Sequence, residues 1–460
     1  MPGRPGRGVG LPGSDLGLPP QLPCRRRAGE LPVSLALRLY GALMQLLVPV
    51  MLLRLWWRGR AEPLYRVAVG ERLGHPGVAR VPGGLWVHAV SLGETRAAAA
   101  LLDAVRALRP GLPILLTHGT ATGREAGRAL LRDGDVQAWL PWDSPGAVRR
   151  FLAAHRPAAG VLMETEVWPM LLHAAAEAKV PMLLANARLS ERSLNRGLRF
   201  ESLLRPAVQS LAQVLAQTED DAMRLRRIGA VDVRVCGNLK FDMTPAPELL
   251  ARGQAWRAVL DRPVVLAAST REGEEAALLA AWRQRETVGD GMPPLLLIVP
   301  RHPQRFDEVA ALCRAAGVDP RRRSAWAGEA PAPEDLHAEV WLGDSLGELP
   351  LYYATADVAL LGGSFAPHGG QNLIEAAACG CPLVIGPSTF NFAEAAMLAL
   401  AAGAAVRVDD LKSAVETARA LVAEPARCQD MAVRSRDFAA RHRGAAGRMA
   451  SHIVETAGAR

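Results

Sequence analysis

The sequence predicts an α/β protein with two doubly wound domains facing a cleft, preceded by an apolar anchor helix. Three observations carry this reading. Beyond residue 80, short runs that are apolar throughout alternate with alanine-rich, helix-length segments, the pattern of parallel strands covered on both faces. The runs fall into two series, separated at residues 242–248 (DMTPAPE), where two prolines break the periodicity. Ahead of both series, residues 39–53 carry no formal charge.

Composition narrows the class. The chain has 460 residues, 50% hydrophobic, 22% charged and 5% aromatic, which excludes a disordered polymer, a collagen-like repeat and a multi-span transporter. At roughly 150 residues per domain, the length accommodates two or three cores. Lys and Arg total 54 against 46 Asp and Glu, a net charge of +8. That balance permits anionic lipid, nucleic acid or phosphorylated substrates without choosing among them. Of the six cysteines only Cys379 and Cys381 lie close together. No second pair completes a zinc site, so reduced thiols are expected.

Residues 1–32 hold seven prolines and seven glycines and are expected to be disordered. Residues 33–60 form the expected membrane anchor. As a helix the uncharged stretch spans about 22 Å, and about 28 Å when extended through Trp56 and Trp57, against a hydrocarbon core of roughly 30 Å. The tryptophans beside Arg58 and Arg60 suit an interfacial belt. Arginines on both sides leave the orientation open. Residues 61–245 then contain candidate strands at 85–90, 114–117, 161–163, 182–185, 214–216 and 233–236. Residues 246–460 contain others at 264–267, 295–299, 340–342, 358–361 and 383–385. Ligands of open parallel sheets gather at the carboxyl ends of the strands, and two facing sheets put them in the cleft between.

Those strand ends carry the chemistry. The first leads through Ser91, Leu92 and Gly93 to Glu94 at a helix start. A carboxylate there can serve as a general base, although it can equally cap the helix, whose dipole lowers its pKa. Glu164 and Glu166 follow another strand and lie at the mouth of the sheet. Residues 117–123 (THGTATG) offer a weaker anion or sugar cradle. Arg188, Arg192, Arg196 and Arg199 share one face if helical, which suits either solvent or lipid phosphates. Lys240 stands at the interdomain break, able to reach developing negative charge.

In the second half, Ser269 and Thr270 open a strand-to-helix loop that can hold an anion. Arg301 and His302 close the next strand, and Leu346, Gly347 and Glu348 form a later turn. Residues 362–375 (GGSFAPHGGQNLIE) place Gly369 and Gly370 beside a helix start, where free N–H groups can meet a phosphate. Asn372 and Glu375 share a face of that helix. The stretch lacks both the dinucleotide and the ATP fingerprints, and no acidic cluster suggests a metal. No nucleic-acid-binding signature is present, so nucleic acid is not an expected partner.

Residues 86–94, 164–169, 186–190, 237–242, 300–305 and 368–375 occur in an order that resembles the 3-deoxy-D-manno-octulosonic acid (Kdo) transferases of Gram-negative bacteria, over roughly residues 35–450. The resemblance implies a GT-B glycosyltransferase fold. Its two Rossmann-like domains would be an acceptor-binding one at 61–245 and a CMP-Kdo-binding one at 246–460, with a terminal helix crossing back. It implies inverting, metal-independent transfer of Kdo from CMP-Kdo, with no cofactor, onto lipid IVA, a lipid A precursor, at the cytoplasmic face of the inner membrane. By position Glu94 matches the general base, and Glu166 and Lys240 match groups that stabilise the transition state. Ser269, Thr270, Arg301, His302, Leu346, Gly347, Glu348, Gly369, Gly370, Asn372 and Glu375 fall in the donor-binding segments. Two departures are Leu346, where methionine is common, and the proline-rich extension. The competing readings are another membrane-associated glycosyltransferase, a sugar-nucleotide epimerase, and a basic lipid-binding module without catalysis.

Overall fold

The computed structural model describes residues 34–77, 80–284 and 293–458; the proline-rich extension lies outside them. The first sheet comprises β1 (Leu85–His88), β2 (Ile114–His118), β3 (Val136–Trp139), β4 (Ala159–Met163), β5 (Met182–Ala187), β6 (Gln213–Ala216) and β7 (Val233–Val235). Its order is β3-β2-β1-β4-β5-β6-β7, and every pairing is parallel. The second comprises β8 (Val264–Thr270), β9 (Leu295–Pro300), β10 (Arg321–Arg322), β11 (Val340–Leu342), β12 (Val358–Leu361), β13 (Leu383–Ile385) and β14 (Ala405–Arg407). It runs β10-β11-β9-β8-β12-β13-β14, again parallel throughout.

Each sheet is covered on both faces, which explains why its strands read as unbroken apolar runs. Alternate residues of one strand feed opposite cores: Trp86 packs into one cluster, Leu85 and Val87 into another. The second sheet repeats the arrangement, with Leu266 on one side and Val265 and Ala267 on the other. Three strands were not expected from the sequence: β3, β10 and β14. All are edge strands, short and bearing polar residues such as Gln137, Arg321 and Arg407, as edges do to avoid further pairing.

Chain order reverses between β1 and β4 in the first sheet and between β8 and β12 in the second. A crevice opens at such a reversal, and these four strands carry Glu94, Glu164, Ser269 and the Gly362 loop at their carboxyl ends. The last helix, Ala445–Gly458, returns to the first domain. Ala445, Met449 and Ile453, four residues apart, enter one core with Ala97 and Leu101 of the helix Leu92–Leu108. Asp242 ties the return by accepting the N–H groups of Gly444 and Ala446.

The helix Leu35–Arg58 is long and apolar enough to cross a membrane, about 36 Å at 1.5 Å per residue. It nevertheless lies along the first domain. At one end Tyr40 donates to buried Asp143 at 2.9 Å, and Gly41 sits so close that a Cβ there would stand 3.0 Å from Pro145 Cγ. At the other, Leu55 packs against Tyr65 and Trp139, and Arg58 donates to Tyr65 Oη at 2.8 Å. Its outer face exposes Leu35, Leu39, Leu43, Leu46, Val50, Leu53 and Trp57, a continuous stripe at helical spacing.

Candidate active site

Ser91 caps the helix Leu92–Leu108, and Glu94 at its third position reaches back, as a capping carboxylate does. Val90 N–H donates to Glu94 Oε2 at 2.8 Å and Ser91 Oγ to Oε1 at 3.0 Å. The sequence set capping against basicity as alternatives; the geometry shows the capping. Burial pushes the Glu94 carboxyl up despite those two donors, with Glu164 adding to the rise and Arg188 opposing it.

Across the β1–β4 reversal, Glu164 has a left-handed backbone, φ 59°, a conformation that non-glycine residues rarely adopt. Its buried carboxylate receives Arg188 Nε at 3.0 Å. Burial pushes Glu166 up to about 7, reinforced by Glu94 and Glu164, while the Trp168 indole pulls the other way. The two glutamates therefore differ in kind: Glu164 is paired with a cation, whereas Glu166 shares an electrostatic environment with Glu94.

Arg188 does not belong to a helical arginine row. The helix begins at Glu191, leaving Arg188 at the end of β5, where the site recruits it. Arg192, Arg196 and Arg199 remain exposed. Lys240 is positioned from behind: Asn186 Oδ1 accepts Leu239 N–H at 3.0 Å, and Asn238 Oδ1 accepts Lys240 N–H at 3.0 Å. Burial pushes the Lys240 ammonium down, Glu164 pulls it up, and Arg188 pushes it down again. Its Nζ lies 4.9 Å from the centre of the Phe392 ring, which belongs to the second domain.

In that domain Ser269 is also left-handed, φ 56°. The Thr270 hydroxyl is buried without a partner, and Thr270 C=O accepts Arg301 N–H at 3.0 Å. Glu274 secures the neighbouring loop by accepting Gly363 N–H at 2.8 Å and Phe365 N–H at 3.2 Å. Arg301 Nε donates to Gln371 Oε1 at 3.2 Å, while His302 opens the short turn Pro303–Arg305.

The glycine pair behaves differently from the expectation. Gly369 N–H already donates to Ser388 Oγ at 3.0 Å and Gly370 N–H to Gly363 C=O at 2.8 Å. Left-handed φ values of 83° and 75° explain the glycines, because they let the chain fold back on itself. Asn372 caps the helix Leu373–Ala378 through Ile374 N–H. Burial pushes Glu375 up, and Arg96 and Arg301 pull it down; Arg96 lies on the helix that carries Glu94. Leu346 is exposed, Gly347 is left-handed, and Glu348 pairs with Arg323 at 3.1 Å and Arg252 at 3.2 Å.

A cavity of about 630 Å³ joins the domains, with Thr165, Arg188 and Lys240 on one wall and Ile374, Phe392 and Glu394 on the other. Glu94, Glu164, Glu166, Arg188 and Lys240 influence one another electrostatically; of these, Arg188 and Lys240 line the interdomain cavity and the three glutamates do not. Sequence reading missed the pairing of Arg188 with Glu164, and its position directly after an apolar strand was the available signal. Among the described residues no group of three or more His, Cys, Asp or Glu is placed to hold a metal ion.

Residues 68–243 match the family model described as 3-deoxy-D-manno-octulosonic-acid transferase (kdotransferase). The 3-deoxy-D-manno-octulosonic acid transferase of Bordetella pertussis is 50% identical over 420 residues, 89% of this chain and 96% of that protein. The Haemophilus influenzae protein of the same description is 34% identical over 385 residues, 82% of this chain and 88% of its own. A glycosyltransferase structure from Rickettsia africae superposes with a TM-score of 0.53 at 12% identity, covering 82% of this chain and 99% of its own, a likeness of fold.

Proposed function

The chain belongs to the 3-deoxy-D-manno-octulosonic acid (Kdo) transferase family, GT-B glycosyltransferases of lipopolysaccharide biosynthesis, and from that membership we propose that it moves Kdo from CMP-Kdo onto lipid IVA with inversion. The reading is supported by one observation: at the strand reversal of the first domain Val90 N–H and Ser91 Oγ hold the half-buried Glu94 carboxylate in place, and burial raises its pKa.

In this mechanism Glu94 accepts the proton of an acceptor hydroxyl, whose oxygen attacks the anomeric carbon of Kdo as the bond to CMP breaks. Its raised pKa strengthens it as a base at neutral pH. Glu166, which keeps its proton to about pH 7, donates a hydrogen bond in the transition state. Arg188 and Lys240 supply positive charge toward the donor's carboxylate and the departing phosphate. Ser269, Thr270, Arg301, His302, the 346–348 turn, Gly369, Gly370, Asn372 and Glu375 form the CMP side. The glycines act there as shapers of the loop, since their N–H groups are engaged. No resident metal or cofactor enters the scheme.

The anchor helix lies in the plane of the inner membrane at its cytoplasmic face, apolar stripe toward lipid, because both its ends are docked on the domain. Purified protein incubated with CMP-Kdo and lipid IVA tests the assignment: mass spectrometry is expected to show an acceptor heavier by one or more Kdo residues. Recovery of unmodified lipid IVA would refute it.

A further inference from the structure

A second cavity, of about 470 Å³, lies between the last turns of the anchor helix and the carboxyl ends of the first sheet. Arg54, Arg58, Arg72, His88 and Trp168 contribute to its lining, and no carboxylate does. That volume falls within the usual range for a small-molecule site.

Two of its groups are buried and incompletely bonded. Arg72 is 6% exposed; it donates through Nη1 to Leu140 C=O at 3.2 Å and through Nη2 to Gly119 C=O at 2.8 Å, while its Nε has no partner. His88 is fully buried. Its Nδ1 lies 3.1 Å from the Thr117 carbonyl and 3.0 Å from the Thr117 hydroxyl, so that nitrogen is satisfied within the sheet whichever tautomer is present. The Nε2 of His88 is also without a partner. Leaving buried polar groups unsatisfied costs about 1–3 kcal/mol each, so they mark a place that a polar ligand completes.

The mouth is cationic. Arg54 is exposed and makes no hydrogen bond or ion pair among the described residues. Arg58, one turn on, holds Tyr65 and Glu62 by one side of its guanidinium. Val90, whose N–H orients Glu94, lines the inner end.

We infer that this cavity seats a phosphorylated sugar of the lipid acceptor, its phosphate between Arg54 and Arg58 and a sugar hydroxyl, able to donate or accept, hydrogen-bonded to His88 Nε2. The anchor helix is then part of the substrate site, and the arginines act as specificity residues for an anionic headgroup. This rests on the Kdo-transfer reading, and the test separates the two.

Kinetics in neutral detergent micelles, which remove any anionic surface, compare lipid IVA with the same acylated disaccharide stripped of its phosphates. The R54A/R58A variant is expected to raise KM for lipid IVA tenfold or more, leave KM for CMP-Kdo within twofold, and leave the dephosphorylated acceptor unaffected. R54A alone, which disturbs no internal contact, is expected to show the same selectivity at smaller size. Tryptophan-quenching titration with lipid IVA in the absence of CMP-Kdo should show the same weakening. Unchanged affinity for lipid IVA, or equal losses on both acceptors, overturns the inference. Failure of the unmodified protein to transfer Kdo to either acceptor would instead sink the broader reading, and the titration would still decide whether the cavity binds the phosphorylated lipid.

Discussion

Arg188 donates to the buried carboxylate of Glu164 at 3.0 Å, bridging the carboxyl ends of two neighbouring strands. This pairing gives three neighbouring glutamates different surroundings. Glu164 is paired with that guanidinium, and Glu166 feels the charge of Glu94 in a partly dry setting, where like charges cannot both ionise freely.

Arg188→Ala removes the cation that pulls Glu94 down. The acid limb of the rate profile should move to higher pH, and turnover at pH 7 should fall at least tenfold. A pH–rate series on the variant checks both; an unmoved limb would separate Arg188 from the base.

Glu166, raised from 4.5 to about 7, should impose an alkaline limb near that pH, with the two limbs belonging to the coupled pair. Glu166→Gln should abolish the alkaline limb. A folded-state pKa above the unfolded one stabilises the protein fully below about 4.5, and that contribution disappears as pH rises through about 7. Thermal melts of the variant should therefore depend less on pH across this window than those of the parent, by on the order of 1–3 kcal/mol.

Asp143 makes an analogous prediction away from the chemistry. Burial pushes it from 3.8 up to about 6, against hydrogen bonds from Tyr40, Met170 and Leu171. Its share of stability is present below about pH 4 and lost as pH rises through 6. Tyr40→Phe should cost about 1–2 kcal/mol in denaturant titration by leaving that carboxylate one donor short. Gly41→Leu should cost a similar amount or more by forcing the anchor helix off Pro145 and Met170.

The exposed stripe should govern membrane affinity. Leu46→Glu with Val50→Glu removes two apolar side chains, each worth about 1.5–3 kcal/mol on burial, and should weaken co-sedimentation with phospholipid vesicles at least tenfold. Undiminished binding would place the contact elsewhere.

The central strands and their chemistry-bearing ends were legible because doubly covered parallel strands are apolar at every position, and the residue after such a run must sit at a sheet's mouth. Glu94, Glu164 and Ser269 all surfaced this way. Edge strands such as β3 and β14 escaped because their polar residues belong to the edge. Arg188 was misassigned since a spacing of four also fits a helix, and only the helix start at Glu191 separates the cases. The engaged N–H groups of Gly369 and Gly370 depend on Ser388 and Gly363, contacts that no local pattern encodes. The anchor helix read correctly as apolar, but its docking hangs on Asp143, over a hundred residues away.

Glu94 is the proposed base on which the transfer mechanism turns. Glu94→Gln keeps the shape of the side chain and removes its basicity, so turnover should fall by about two to four orders of magnitude while calorimetric affinity for CMP-Kdo stays within a few fold of the parent. Near-parental turnover in that variant would contradict the assignment, whatever its affinity for the donor.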